Sequence, residues 1–175
     1  RCGKVGARIK INLMKIKNFD QLAVNEWRRD ALDILEAGLQ AIDTKKVIEN
    51  SVKISDEVLT IAGQEFILKD YKRIFLVGVG KCALESALAV EAILGERLTS
   101  GVIIDVKSSS ALKRVKLFVG SHPLPTEKNV EATKALIKLL QQADKNDLVI
   151  FVEPHDINWK IHIFHPNAMF TWIFE

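Results

Sequence analysis

Apolar residues follow a helical pattern in the first part of the chain. From Asp20 to Ile42 they recur at steps of three and four residues, which predicts a helix over the later part of this stretch. Thr44 is expected to cap a short second helix that extends through Ile48. Two short strands, 58–61 and 65–68, are predicted next, with a turn around Gly63 and a polar connection over 69–72.

The pattern then changes to unbroken apolar runs, which are typical of strands covered on both faces. Residues 73–77 predict the first such strand, and residues 102–106, 115–119 and 147–152 predict three more. A helix is expected over 83–94, closed by Gly95, and another over 127–142, capped by Thr126. The order β-α-β-β-α-β predicts an α/β layer fold of the Rossmann-like kind, with a mostly parallel sheet and flanking helices.

Composition suggests that both ends of the chain differ from its body. Residues 1–13 contain four basic residues and no acid, and we expect them to be a non-native leader before a natural start at Met14. Residues 153–175 hold two of the three tryptophans and three of the four histidines, so we expect an aberrant tail produced by a frameshift after Val152. The α/β domain would then cover 14–152, with an incomplete sheet, an open edge and poor solubility.

The same composition excludes several classes of function. Because the basic excess belongs to the leader, the sequence pI of about 8.8 does not predict nucleic-acid binding. No run of about 18 apolar residues predicts a membrane span, and no secretory signal is recognisable, so a cytoplasmic location is expected. Cys2 and Cys82 cannot form a disulfide framework, and the spacing of His155, His162 and His165 does not predict a metal site.

The glycine loop after the first buried strand is the strongest chemical signal. Gly78 and Gly80 allow the backbone to approach a ligand closely, Lys81 adds a positive charge, and the next helix is expected to present free N–H groups. These features suit a phosphate or carboxylate. The spacing is not that of a P-loop, and Ala83 replaces the third glycine of a dinucleotide fingerprint. A tight turn with a solvated lysine is the alternative. Cys82 could be a reactive thiol at a helix N-terminus, but a small buried side chain is expected.

A second candidate loop runs from Gly120 through Ser121, His122, Pro123 and Pro125 to the cap at Thr126. It follows a strand end, where ligands bind in open α/β sheets. His122 could bind substrate or transfer a proton, or could be an ordinary loop histidine. Ser108, Ser109 and Ser110 follow another strand and are expected to form a polar turn.

Three segments together, 74–83, 120–130 and 146–152, resemble the N-terminal domain of the MOFRL-type glycerate 2-kinases. The resemblance implies phosphorylation of glycerate from ATP with Mg²⁺, so that glycerate and a nucleotide would be the small-molecule partners. It implies that Lys81 is the catalytic lysine near the transferred phosphoryl group. Gly78, Gly80 and Lys81, with Ser121, His122 and Pro123 in the second loop, are the expected substrate- and phosphate-binding residues.

The resemblance ends at Val152, where the family continues with a Ser-Gly-Gly-Gly-Ser loop and this chain has Glu153-Pro-His-Asp. We therefore expect the chain to be inactive alone. A phosphosugar-binding or isomerase module of the SIS type remains an alternative, because it has a similar glycine loop. A nicotinamide-binding Rossmann module is another, because Asp105 lies near the end of the second strand. The sequence does not predict an oligomeric state.

Overall fold

The computed structural model describes residues 14–154, 159–165 and 168–171, and the predicted leader lies outside the described residues. The chain divides into two compact units, one ending at Lys46 and the other beginning at Val47. The first unit contains a one-turn helix, α1 (Phe19–Leu22), and a long helix, α2 (Glu26–Ala41). The side chain of Asn25 caps α2 by accepting a 2.9 Å hydrogen bond from the Arg28 N–H.

A buried glutamate fastens the segment after Met14 to α2. Glu36 accepts hydrogen bonds from the backbone N–H groups of Lys15 at 2.6 Å and Ile16 at 2.9 Å. It also accepts one from the Gln40 side chain at 2.9 Å, and that bond is the largest cause of the lowered pKa of Glu36. The residues directly after Met14 therefore pack as part of this unit.

The next helix is α3 (Thr44–Ser51), and the prediction that Thr44 caps it is wrong. Thr44 is the first helical residue and is buried, whereas the Asp43 carboxylate accepts the Lys46 N–H at 3.1 Å. Asp43 is therefore the capping side chain, and the helix extends beyond Ile48 to Ser51.

The second unit contains a small antiparallel sheet of three strands in the order β1 (Val52–Ser55), β2 (Val58–Ile61) and β3 (Gln64–Ile67). The sequence predicted the last two to within one residue and missed β1. Leu68 was assigned to the second strand but lies in a 3-10 turn, Leu68–Asp70, where it is buried. The sequence predicted no element between Ile48 and Val58. No glycine or proline marks the point at which α3 passes into β1.

The second unit also contains a sheet of six strands. Their bounds are β4 (Arg73–Val79), β5 (Ser100–Asp105), β6 (Val115–Val119), β7 (Asp147–Pro154), β8 (Trp159–His165) and β9 (Ala168–Thr171). The spatial order is β6-β5-β4-β7-β8-β9, and the pairs among the first four strands are parallel. Helix α4 (Ala83–Leu94) connects β4 to β5, and α5 (Glu127–Leu140) connects β6 to β7. The predicted α/β fold with a mostly parallel sheet and flanking helices is confirmed.

The apolar run of β4 is covered on both faces, as predicted. Ile74 and Leu76 belong to the larger core cluster together with the apolar residues of α4 and of the small sheet. Phe75 and Val77 face the other way into a smaller cluster that includes Leu139 of α5. The unbroken apolar pattern of β4 follows from burial on two faces.

The strands after β7 were not predicted. β8 pairs with β7 in the antiparallel direction from Val149 to Pro154, and β9 pairs with β8. The expected open edge beside β7 is therefore wrong for the described residues. No helix in the described part of the chain is long and apolar enough to cross a membrane.

Candidate active site

The glycine loop connects β4 to α4 at the carboxyl edge of the sheet, and packing explains its first glycine. A Cβ atom on Gly78 would lie 2.8 Å from Val152 Cγ2, 3.0 Å from Ile103 Cγ2 and 3.3 Å from Ala83 Cβ. Gly78 therefore lets the start of α4 approach the sheet closely. It is buried, so its contribution to a ligand site is the shape of the loop.

The second glycine is required by the turn itself. Gly80 has a φ of 113°, which residues other than glycine rarely adopt. Its N–H donates a 2.9 Å hydrogen bond to the carbonyl of Ile104 near the end of β5. The turn is thus anchored on the neighbouring strand, and Lys81 follows directly.

Lys81 is exposed, and no hydrogen bond or ion pair within the described ranges involves it. Other cations near the loop are paired, since Lys107 Nζ lies 2.6 Å from a Glu85 carboxylate oxygen. Lys81 is therefore a cation at the carboxyl edge of a parallel sheet that is available to an incoming anion.

The expected free N–H groups at the start of α4 are in part already bonded. Ala83 donates to the carbonyl of Gly80 at 3.0 Å, and Leu84 donates to Asp105 Oδ2 at 2.9 Å. Two of the first three amides of the helix are therefore accepted by a loop carbonyl and a carboxylate of the chain itself. The regular helical bonds begin at Ser86, which donates to the carbonyl of Cys82 at 3.0 Å.

Asn129 determines the shape of the second loop. Its Oδ1 accepts hydrogen bonds from the N–H groups of Ser121 and Thr126, both at 3.0 Å, and its Nδ2 donates to the Ser121 carbonyl at 3.2 Å. The Ser121 hydroxyl lies 2.7 Å from the carbonyl oxygen of Leu124. Ser121 is thus bonded within the loop, and His122 and Pro123 are exposed at its tip, joined by a cis peptide bond.

Both loops are anchored on consecutive carbonyls of β5. The Gly80 N–H bonds to Ile104 O, and the Gly120 N–H bonds to Asp105 O at 2.9 Å. Because β4 and β6 flank β5 and adjacent strands lie about 4.8 Å apart, the two strand ends are separated by roughly 10 Å. The structure therefore brings the two predicted loops to one edge of one sheet.

The remaining candidate residues have local roles. Ser109 Oγ accepts the Ala111 N–H at 3.1 Å, as expected for a polar turn. Cys82 is half-buried. Asp105 is 2% exposed and both its oxygens accept backbone N–H groups, so it is not placed to bind a ribose hydroxyl. That geometry disfavours the nicotinamide alternative.

The fit of a divalent cation can be tested on the same residues. Within residues 14–154, 159–165 and 168–171, no group of three histidine, cysteine, aspartate or glutamate residues is arranged to hold a metal. His155 lies outside the described residues, and the side chains of His162 and His165 are not described. The described residues therefore offer no ready-made carboxylate or histidine site for a divalent cation.

A protein family described as "Domain of unknown function (DUF4147)" matches residues 30–152 of this sequence. The chain belongs to this family. The match contains both loops, the whole of β4, β5 and β6, and β7 as far as Val152. Val152 is also the residue at which the resemblance predicted from the sequence ends.

Relatives with assigned activity are similar over the same region. A glycerate 2-kinase of Pyrococcus horikoshii is 33% identical over 130 residues, which cover 70% of this chain and 29% of that protein. A glycerate 2-kinase of Picrophilus torridus is 27% identical over 137 residues, which cover 77% of this chain and 31% of that protein. The chain thus spans less than a third of the length of these relatives.

The fold is also found in a solved structure. A crystal structure of a Pyrococcus horikoshii protein superposes with a TM-score of 0.61 at 30% identity, covering 73% of this chain and 28% of that one. The resemblance to the N-terminal domain of the glycerate 2-kinase family is confirmed, and it favours that family over the SIS-type alternative.

Sequence reasoning missed two residues that build the site, Asn129 and Asp105. Asn129 occupies the third position after the Thr126 cap, where a side chain can return to the cap's N–H, so its spacing was a usable signal. Asp105 was considered only as a ribose ligand. Its actual bond to Leu84 joins residues 21 positions apart, which no local pattern indicates.

Proposed function

We propose that this domain supplies the Lys81 part of the active site of a glycerate 2-kinase-type enzyme, which transfers a phosphoryl group from ATP to glycerate. The observation that carries the proposal is the exposed Lys81 ammonium, which has no partner in the described residues and lies at the carboxyl edge of the sheet in a family member. The names of the relatives support the reaction class.

Phosphoryl transfer depends on positioning and on neutralisation of charge more than on covalent chemistry. The Lys81 ammonium would bind oxygens of the transferred group and stabilise the charge that develops on them. Gly78 and Gly80 would fix the loop from which Lys81 extends. MgATP would supply the phosphoryl group and a second positive charge when bound.

The second loop would line the substrate cleft. His122 and Pro123 are exposed at its tip, and the Ser121 hydroxyl is bonded inside the loop. We therefore propose that Ser121 contributes through the shape of the loop, and that His122 and Pro123 face glycerate. A shallow depression beside them is lined by Val119, Gly120, Ser121, Thr126, Glu127 and Lys128.

The chain by itself is proposed to be inactive. It spans less than a third of the length of the kinases it matches, and both ends differ from its body. The functional domain would cover 14–152, with 1–13 a non-native leader and 153–175 an aberrant tail, in a cytoplasmic protein. Purified chain should show no ATP-dependent phosphorylation of glycerate, and measurable turnover would contradict this part of the proposal.

A chimera tests the catalytic role directly. Residues 14–152 would replace the matching segment of the Pyrococcus horikoshii kinase, and the chimera is expected to phosphorylate glycerate. Lys81→Met in the chimera should lower kcat by about 100-fold or more, as loss of one charge-stabilising donor does. Lys81→Arg, which keeps the charge, is the matched control and should retain more activity. Equal kcat in chimera and Lys81→Met would remove Lys81 from the mechanism.

The proposed tail has its own test in the gene. If a frameshift follows codon 152, the downstream DNA read in another frame should encode a Ser-Gly-Gly-Gly-Ser continuation. A genomic sequence without such a continuation would contradict the frameshift, and it would leave the proposed role of Lys81 untouched.

A further inference from the structure

Asp105 carries a buried carboxylate that the proposed reaction does not use. It ends β5 and is 2% exposed. Its Oδ2 accepts the Leu84 N–H at 2.9 Å, and its Oδ1 accepts the Lys107 N–H at 3.0 Å. The carboxylate therefore lies against the first turn of α4, directly after the glycine loop.

The start of a helix is positive, and in many α/β proteins it binds a phosphate or pyrophosphate. In this chain the buried carboxylate of Asp105 already accepts an amide of that end. Glu85, in the first turn of α4, is exposed and pairs with Lys107 Nζ at 2.6 Å. That hydrogen bond is the largest cause of the raised pKa of Lys107. Lys81 is left as the unpaired cation of the loop within the described residues.

We propose that Asp105 is a specificity-determining and positioning residue of the glycine loop. Its carboxylate occupies the amide end of α4, so that the loop accepts a single anionic group, a phosphoryl or a carboxylate, and accepts it only through Lys81. A pyrophosphate lying across the helix end is thereby excluded. The inference rests on the proposed function, in which Lys81 holds a phosphoryl group.

The same residue also fixes the relative position of the loops. The Asp105 carbonyl accepts the Gly120 N–H, and the preceding carbonyl, of Ile104, accepts the Gly80 N–H. Asp105 thus contacts the helix that follows Lys81 and the loop that carries His122. Asp105→Asn keeps the size of the side chain and both backbone anchors and removes the charge. Its one side-chain acceptor can bond only one of the Leu84 and Lys107 N–H groups.

The test is a titration of inorganic phosphate into the full chain, followed through the backbone amide resonances of the glycine loop and α4. Wild type should bind weakly, and Lys81→Met should abolish that binding. Asp105→Asn should bind about tenfold more tightly, because removal of a buried negative charge beside the anion lowers the electrostatic cost. The largest shifts should move to the amides of Leu84 and Glu85. The matched control is Asp70→Asn, an exposed position with the same change of charge, and it should bind as wild type does.

Phosphate affinity in folded Asp105→Asn that equals or falls below that of wild type overturns the inference, since a purely structural role predicts a loss. If wild type shows Lys81-dependent binding in that case, the proposed function stands without the inference. If Asp105→Asn binds phosphate and wild type does not, the exclusion of the anion from α4 by Asp105 is supported, whereas binding through Lys81 is contradicted, and with it the proposed function.

If Asp105→Asn does not fold, the phosphate titration of wild type alone tests the inference. Phosphate should shift the Lys81 signals and leave the Leu84 amide unchanged. A dominant shift at Leu84 that persists in Lys81→Met overturns the inference.

Discussion

The loop after β4 and the loop after β6 are anchored on neighbouring carbonyls of β5, but different interactions hold them. The glycine loop is held by close packing at Gly78, by the backbone conformation of Gly80 and by the Asp105 carboxylate. The second loop is held by the side chain of Asn129, which forms hydrogen bonds at both its ends. The loop that carries the proposed catalytic lysine is thus held by packing against the core. The loop that would contact glycerate is held by hydrogen bonds from a partly exposed side chain.

This difference suits the two proposed tasks. A lysine that stabilises a developing charge must be held in place before the reaction, and packing against the sheet provides that rigidity. A loop that closes on a small substrate benefits from local mobility, and hydrogen bonds at a partly exposed surface contribute about 1 kcal/mol each. The comparison predicts that substitutions in the first loop affect the whole fold and those in the second act locally.

The largest effect is expected for Gly78→Ala. The added Cβ would lie 2.8 Å from Val152 Cγ2 and 3.0 Å from Ile103 Cγ2, so α4 must move away from the sheet. We expect the free energy of unfolding to fall by roughly 3 kcal/mol, a loss typical of an overpacked core. Urea denaturation measures it.

The control for Gly78→Ala is Gly38→Ala in α2, where a Cβ meets nothing within 4 Å. It should raise the stability of its helix by about 0.5–1 kcal/mol. Similar losses for both glycines would contradict the role of packing at Gly78.

Gly80→Ala should act through the backbone. A φ of 113° is strained for alanine, and we expect a loss of about 2 kcal/mol in a urea melt. The opposite substitution provides the control, because Ala62 already has a positive φ of 47° in the β2–β3 hairpin. Ala62→Gly should be neutral or stabilising by up to about 1 kcal/mol. If Gly80→Ala is as stable as wild type, the turn is not held in the conformation described.

Asn129→Ala is expected to cost about 1 kcal/mol in total, because the groups that it leaves are partly exposed and water replaces most of the lost bonds. Amide hydrogen exchange should accelerate at Ser121 and Thr126 and remain unchanged in β4. Asn129→Asp keeps the acceptor oxygen and loses the Nδ2 donor, so it should lie between alanine and wild type. Faster exchange throughout β4 would show that the second loop is not independent of the core.

The sequence predicted the parts of this comparison that depend on local patterns. The unbroken apolar run of β4, the bounds 83–94 of α4 with Gly95, and the proline-rich second loop follow from residue type and spacing. The closure of α4 by Asp105 could not be predicted, because it depends on which strand lies beside β4. The strand β1 and the strands after Pro154 were missed because no turn residue separates β1 from α3 and no period marks the tail.

The last effect depends on pH and is expected at the other end of β4, where an ion pair holds the strand. Arg73 Nε and Nη2 lie 2.9 and 2.6 Å from the two carboxylate oxygens of Asp147, whose side chain is fully buried at the start of β7. The hydrogen bond from Arg73 is the largest cause of the lowered pKa of Asp147. Because the pKa in the folded chain is below that in the unfolded chain, the ionised carboxylate stabilises the fold at every pH above the unfolded value, near 4.

That contribution is lost as the pH falls through the folded pKa. The stability difference between wild type and Asp147→Asn should therefore be constant from pH 8 to about 5 and shrink below about pH 4, measured by urea denaturation at each pH. A difference that persists unchanged in acid would mean that Asp147 acts through packing rather than charge. Packing would then hold both ends of β4. The contrast with the second loop, which the hydrogen bonds of Asn129 hold, would apply to the whole strand.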